Sequence, residues 1–341
     1  MTETQADIPE WLRLFEGLSC YTANLAGYLH REFPRTDEHF ARSVRLAVRT
    51  DLPDGELSFS HHATPLDELP DGSRLRYRTA GDAESAAAEL AAEAGRHGRV
   101  LVVTDSARLP WSPVFGQGPS APHWLLVTGG AGEGRWQVYD AFAGLLPAGE
   151  QRPYAGTVTT AELLAMMTLP AGWSPAQHRR NTLAFGFPVP EPEPASGTAS
   201  EPGPSALQWL AREPGPGRRP GPGPGPTAPL PGDWLTDSVS ALPFLAGLLT
   251  RQEADAGRHL EDLWAATQHH VFRYRRPALR GDASAEELHR CEEAVGAWEA
   301  LPKAVRFAVD SARRGRPRAS LIHSTFERLL DIESRRAALP V

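Results

Sequence analysis

The feature that most restricts how this chain can fold is a stretch rich in proline and glycine over residues 188–232. Within it, the segment from Pro214 to Pro226 is nearly an alternation of glycine and proline. Proline lacks a backbone N–H and has a fixed φ, so such a segment neither pairs as a central strand nor continues as a helix. We therefore expect an extended linker over 188–232, with at most one or two helical turns between Ser205 and Arg212.

The sequence has different patterns on the two sides of this linker. Residues 1–187 mix short helical and strand patterns without a regular alternation, which is typical of an α+β domain. Over residues 233–341, apolar residues recur every three or four positions, and this spacing predicts a bundle of helices with breaks at Pro277 and Pro302. We therefore expect an α+β domain over 1–187 and a helical domain over 233–341.

Composition and charge exclude several classes of protein. The formal net charge of −7 argues against a general nucleic-acid binder. No apolar run is long enough to span a membrane, and the N-terminus lacks a signal-peptide pattern. With only two cysteines and no His/Cys cluster at metal-ligand spacing, we expect a reduced cytoplasmic protein without a disulfide or a metal site. No glycine-rich phosphate-binding motif is present, and we expect no cofactor.

Cys20 follows Gly17, Leu18 and Ser19 and precedes an amphipathic helical pattern. Unpaired N–H groups and the dipole at a helix N-terminus favour negative charge there, which is what a nucleophilic thiolate needs. The backbone N–H of Cys20 would also supply one donor to an oxyanion. The alternative is a cysteine that packs as a small buried hydrophobic residue.

Two further residues favour a nucleophilic role for Cys20 over a packing role. His123 begins one predicted strand and Asp140 ends the next, and the glycine-rich segment from Gly129 to Gly134 connects them. A hairpin centred on this connection would place His123 directly opposite Asp140, within reach of a hydrogen bond between their side chains. An acid in that position orients a catalytic histidine and stabilises its charged form. The sequence therefore predicts a Cys20–His123–Asp140 triad.

The residues around the triad resemble those of known papain-like enzymes. A cysteine before a helix, the stretch Pro122–Gly129 (PHWLLVTG) and the stretch Trp136–Gly144 (WQVYDAFAG) resemble the leader peptidases of bacteriocin export. The chain is more similar still to the butirosin-biosynthesis acyltransferase H family, in which a papain-like domain precedes a helical region. The resemblance covers about residues 10–170 by motif, and the helical region only by class.

This resemblance implies a papain-like fold and a cysteine-dependent acyltransferase or thioesterase of natural-product biosynthesis. The implied donor is an acyl carrier protein or another thioester, and the implied acceptor is a small-molecule amine or alcohol. A basic stretch from Arg306 to Arg318 would offset the negative net charge when an acidic carrier protein docks. A papain-like peptidase or amidase, and a catalytically silent scaffold, remain as alternatives.

One departure from the papain-like pattern concerns the oxyanion hole. Such peptidases usually carry a glutamine a few residues before the nucleophile, but the stretch before Cys20 has no amide side chain. Ser19, Asn24 and Gln117 are the candidates for this second donor, and Trp124 is a further candidate for contact with an oxyanion or substrate.

Overall fold

The computed structural model describes residues 9–15, 17–63, 69, 71–117, 121–129, 134–146, 149–168, 177, 179, 207–214 and 232–337. These residues form a mixed α+β protein with antiparallel sheets and a helical C-terminal region, in agreement with the predicted class. The end of the predicted 1–187 domain, residues 180–187, lies outside the described residues.

The helices, in chain order, are α1 (Glu10–Arg13), α2 (Cys20–His30), α3 (Thr36–Ser43), α4 (Ala83–His97), α5 (Thr160–Met167), α6 (Ser238–Arg251), α7 (Leu260–Arg280), α8 (Ala285–Arg313) and α9 (Ala319–Ala337). The strands are β1 (Val44–Arg49), β2 (Ser58–His62), β3 (Arg74–Ala80), β4 (Val100–Asp105), β5 (Pro122–Gly129), β6 (Arg135–Asp140), β7 (Gly144–Leu146), β8 (Gly149–Gln151), β9 (Tyr154–Thr159), β10 (Leu207–Glu213) and β11 (Trp234–Leu235).

The chain forms two compact units whose boundaries differ from the predicted domains. One unit comprises Met1–Asp37 and Pro65–Thr227, and the other comprises Glu38–Thr64 and Ala228–Val341. Residues 38–64 thus belong with the C-terminal helices and not with the predicted 1–187 domain. The physical reason is that β1 pairs with β11, while apolar side chains of β1 and β2 are buried in the core of those helices.

The first unit is built on a six-stranded antiparallel sheet with the order β3-β10-β4-β5-β6-β9. Strand β10 comes from the predicted linker, so the expectation of a continuous linker over 188–232 is wrong for Leu207–Glu213, as is that of helical turns there. Leu207, Trp209 and Ala211 alternate into the core, and this period of two is the pattern of a half-buried strand. The strand pairs with β3 along its whole length and with β4 at Trp209 and Leu210.

Helices α4 and α5 contribute to the hydrophobic core of this sheet, and their ends have clear local causes. The Asp82 side chain caps the N-terminus of α4, and Gly98 ends it in the left-handed region with a φ of 72°. Thr159 and Glu162 form a capping box at the start of α5. Leu90, Leu163 and Met167 are buried in the core formed by these helices and the sheet.

The second unit packs its C-terminal helices around one apolar core that includes Trp298, Leu301 and Phe326. Helix α7 continues through Pro277 to Arg280, so the break predicted at that proline is wrong. The break predicted at Pro302 is wrong as well, because α8 continues through it. Buried residues on both sides of the proline hold the helix in the core, and tertiary packing outweighs the local cost. Within the described ranges, no helix is both long and apolar enough to cross a membrane.

Candidate active site

Cys20 lies at the first position of α2, as the sequence predicts. Ser19 is the N-cap residue, and its Oγ accepts a hydrogen bond of 3.3 Å from the backbone N–H of Thr22. The Cys20 side chain is half-buried. Because Cys20 occupies the first helical turn, its backbone N–H is one of the four that have no hydrogen-bond acceptor within the helix.

Asn24 fixes this helix against the sheet. Its Nδ2 donates to the carbonyl oxygens of Cys20 and Trp124, each at 2.8 Å, and its Oδ1 accepts from the backbone N–H of Ala141 at 3.2 Å. The side chain is fully buried, so these three bonds replace all of its contacts with water. One residue thereby joins the helix that begins at Cys20 to β5 and to the residue that follows β6.

His123 and Asp140 are bonded to each other, although in a different register from the predicted one. The strands β5 and β6 pair Val127 with Val138 and Gly129 with Trp136. Continued in this register, Asp140 lies opposite Leu125, so the predicted direct pairing with His123 is wrong by two residues. Glycine composition marks a connection but does not set its register. Diagonal neighbours on a strand pair are still within reach of long side chains, and His123 Nε2 lies 2.8 Å from Asp140 Oδ2.

The carboxylate of Asp140 is held by more groups than the sequence indicated. Besides His123, its Oδ2 accepts from Trp111 Nε1 and from Gln151 Nε2, each at 2.9 Å. Its Oδ1 accepts from the backbone N–H of Phe142 at 3.0 Å. Asp140 is completely buried, and a charged carboxylate in such a place needs donors of this kind.

Sequence reasoning missed the roles of Trp111 and Gln151. Trp111 lies in the stretch before β5, which is rich in aromatic residues and proline. This composition does not reveal that Trp111 contacts Asp140. Its ring stacks on that of Tyr154 with a centroid separation of 3.9 Å. Gln151 ends β8, and nothing in the sequence around it distinguishes it from an exposed glutamine.

The electrostatic environment favours a protonated His123. Burial by itself lowers the pKa of this imidazole, but its interactions with Asp140 and with Cys20 raise the pKa to about 10. The effect of Cys20 on this pKa indicates that its sulfur lies near the ring. Since Nε2 is bonded to Asp140, Nδ1 is the nitrogen left for the sulfur. A protonated histidine ring near a cysteine sulfur and bonded to a buried carboxyl group is the arrangement that a cysteine nucleophile would need.

Of the four candidates for contact with an oxyanion or substrate, Asn24 and Ser19 use their donor groups elsewhere in this structure. Asn24 uses its Nδ2 group on two backbone carbonyls, and the Ser19 hydroxyl donates to Thr22 Oγ1 at 2.9 Å. Gln117 is exposed. Trp124 is buried with its ring edge-on to that of Tyr21 at 5.1 Å, and its indole N–H has no partner among the described residues.

Other chemically notable residues do not join this site. Cys291 lies on α8 and is half-buried. His61 and His62 lie on β2 in the second unit, where the His61 ring stacks on that of His269. No group of three or more His, Cys, Asp or Glu side chains within the described ranges is arranged to hold a metal ion.

Comparison of the chain with models of known protein families gives no match, and comparison with curated proteins gives none either. The function is therefore argued from the geometry of the site.

Proposed function

We propose that this chain is a cysteine-dependent acyltransferase or thioesterase that acts on acyl thioesters, as in natural-product biosynthesis. The observation that carries the proposal is the assembly of Cys20, His123 and Asp140 from a helix N-terminus and two strands of one sheet. The 2.8 Å bond between His123 and Asp140 and the effect of Cys20 on the pKa of His123 give each residue a chemical role.

The proposed reaction has two steps. The Cys20 thiolate attacks the carbonyl carbon of the donor thioester, and the tetrahedral intermediate collapses to an acyl-enzyme as the donor thiol leaves with a proton from His123. His123 then takes a proton from an amine, an alcohol or water. That acceptor attacks the acyl-enzyme and releases Cys20. Asp140 holds the ring in place and stabilises its cation in both steps.

The backbone supplies part of the oxyanion stabilisation. The N–H of Cys20 lies at the N-terminus of α2, where the helix dipole adds positive potential. A thioester is more reactive than an amide and requires less of this stabilisation. The absence of a ready amide donor beside Cys20 therefore favours thioester substrates over peptides.

The papain-like fold is part of the proposal. A helix that begins at the nucleophile packs on an antiparallel sheet that carries the histidine, which is the arrangement that the resemblance implies. The implied donor is an acyl carrier protein or another thioester, and the implied acceptor is a small-molecule amine or alcohol. A half-buried free cysteine that must stay reduced is consistent with a cytoplasmic location.

One observation favours a second candidate, a catalytically silent papain-like scaffold. Ser19 and Asn24 are both engaged in holding α2, so neither offers a donor to an oxyanion in this conformation. A protein of this fold that only binds a partner would tolerate that arrangement.

Intact-mass measurement with acyl-pantetheine thioesters tests the proposal. We expect an acyl adduct on the wild-type chain and on Cys291→Ala, the matched control, but none on Cys20→Ala. A Cys20 that gives no adduct and does not react with iodoacetamide would favour the scaffold. Cleavage of a peptide library that is lost in Cys20→Ala, without an acyl adduct, would favour a peptidase.

A further inference from the structure

The second unit carries a concentrated positive surface in a chain of net charge −7. We call it the basic face, and it consists of the exposed side chains of Lys303, Arg306, Phe307, Arg313, Arg314, Arg316 and Arg318. Over residues 303–318 these six cations accompany one acidic residue, Asp310. Arg306 and Phe307 lie three and four residues after Lys303, and Asp310 lies three residues after Phe307, so the four share one side of α8. Arg314 directly follows the end of the helix.

None of the six cations of the basic face forms an ion pair with a carboxylate of the described chain. Exposed arginines elsewhere on the same helices do so: Arg275 lies 2.9 Å from Glu299, and Arg290 lies 2.7 Å from Glu286. Arg335 likewise lies 3.2 Å from Glu293. The exposed Arg251 and Arg328 also form no ion pair within the described residues, so the number of cations over 303–318 distinguishes the basic face and the lack of ion pairs does not.

The helix dipole explains only part of this charge. Cations are favoured in the last turn of a helix, which accounts for Arg313 at the end of α8. Lys303 and Arg306 lie well before that turn, where the effect has decayed. Arg316 and Arg318 lie beyond the end of the helix.

An exposed aromatic ring lies within these charges. The side chain of Phe307 is 52% exposed, and the Arg318 guanidinium lies 5.9 Å from the centre of its ring. An aromatic residue surrounded by cations is typical of a binding surface, because it adds apolar contact to electrostatic attraction.

We propose that the basic face binds the acidic helix of an acyl-carrying protein that delivers the thioester donor. This inference rests on the proposed function, since that function requires a thioester donor. The face extends over about 18 Å of α8 at 1.5 Å per residue, which matches one helix of a small partner. Carboxylates on that helix pair with the arginines, and an apolar residue covers Phe307.

Charge also argues against the other polyanions. Nucleic acids and anionic membranes present long arrays of negative charge, and the acidic remainder of this chain repels them. A small acidic protein can contact the basic face alone. Binding to the face is then sensitive to salt, because its charges are exposed.

The test measures binding directly, in Cys20→Ala so that no chemistry intervenes. The probe is an acidic acyl carrier protein bearing an acyl-phosphopantetheine group, and the readout is isothermal titration calorimetry at several salt concentrations. We expect Arg306→Glu/Arg314→Glu to raise the dissociation constant about tenfold or more and to reduce its salt dependence. Phe307→Ala should weaken binding without changing the salt dependence, and Arg290→Glu, on the same helix, should leave binding unchanged.

A second measurement, the rate of acylation of Cys20 in chains that retain this residue, distinguishes this inference from the proposed function. The double charge reversal should slow acylation by the carrier-borne donor and leave acylation by free acyl-pantetheine unchanged. No acylation by either donor would refute the proposed function, while calorimetry would still decide about the basic face. The inference is overturned if the carrier protein does not bind, or binds the double variant equally well. It is also overturned if the face instead binds duplex DNA or phosphatidylserine vesicles in preference to the carrier protein. Circular dichroism of each variant checks that it is folded.

Discussion

Acidification should destabilise the second unit through histidines that are buried in their neutral form. His269 and His270 on α7 are both fully buried. Burial lowers the pKa of His269 from 6.5 to about 4. Burial and the nearby charge of Arg273 lower the pKa of His270 to about 3, although Glu333 opposes them. Both residues therefore bind a proton more readily in the unfolded chain than in the folded one.

The size of the effect follows from linkage. A lowered folded-state pKa means that stability is lost as the pH falls below the unfolded value of 6.5, by about 1.4 kcal/mol per pH unit for each histidine. Between pH 7 and pH 5 each histidine therefore costs about 2 kcal/mol, and the pair costs about 4 kcal/mol. That is a large share of a typical total stability of about 5–15 kcal/mol.

The surroundings of these rings make the loss specific to this pH window. His269 stacks on His61 at 4.6 Å and lies edge-on to His62 at 5.0 Å, and these are further imidazoles and not carboxylates. Glu333 faces His270 at 3.4 Å, but the charges of Arg273 and Arg336 beside it help to hold the pKa of Glu333 well below 4.5 despite its burial. The stability that the ionised Glu333 carboxylate contributes is therefore lost only in more acidic solution.

Urea unfolding followed by far-ultraviolet circular dichroism at pH 7 and pH 5 measures this loss. We expect the wild type to lose at least about 4 kcal/mol, because the pKa of the buried His62 is lowered as well, and His269→Gln to lose about 2 kcal/mol less over the same interval. A free energy of unfolding that changes by less than about 1 kcal/mol, or an equal loss in the variant, would refute the reasoning.

Three more predictions concern the first unit. Trp209→Ala should destabilise the protein by about 3–5 kcal/mol in urea unfolding, whereas Gln208→Ala on the same strand should cost about 1 kcal/mol or less; equal losses would argue against β10 as a core strand. Gln151→Leu should slow iodoacetamide alkylation of Cys20, because the Asp140 carboxylate loses a donor that holds it in place beside His123; an unchanged rate would contradict this role. Asn24→Ala should cost about 3 kcal/mol of unfolding free energy through three lost hydrogen bonds, and an alkylation rate equal to that of the wild type would show that it does not position the nucleophile.

The bond between His123 and Asp140 and the position of Cys20 at a helix N-terminus were predictable from the sequence because each residue carries a local signal. Cys20 precedes a helical pattern, and His123 and Asp140 occupy strand ends on the two sides of one connection. The partners of Asp140 could not be found in this way. Gln151 reaches the carboxylate only because the short strands β7 and β8 bring it there, and such a contact depends on tertiary structure and not on local composition.

The fold class was predictable from the sequence, but the unit to which each segment belongs was not. Leu207, Trp209 and Ala211 show strand alternation over seven residues, but the surrounding prolines and glycines suggest a linker. Val44, Leu46 and Val48 also alternate, but alternation says only that one face is buried. It does not say which core buries that face, and here it is the core of the C-terminal helices.

The position of β10 has a consequence for how the protein can be made and divided. In the order β3-β10-β4, this strand separates two strands that precede it by more than a hundred residues in the chain. During synthesis, β3 and β4 must wait for residues 207–213 to leave the ribosome before their inner edges can pair. A fragment that ends at residue 187 would leave β3 without a partner strand and β4 with an open, apolar edge, and such edges recruit other chains. Any expression fragment of the first unit should therefore extend beyond Glu213.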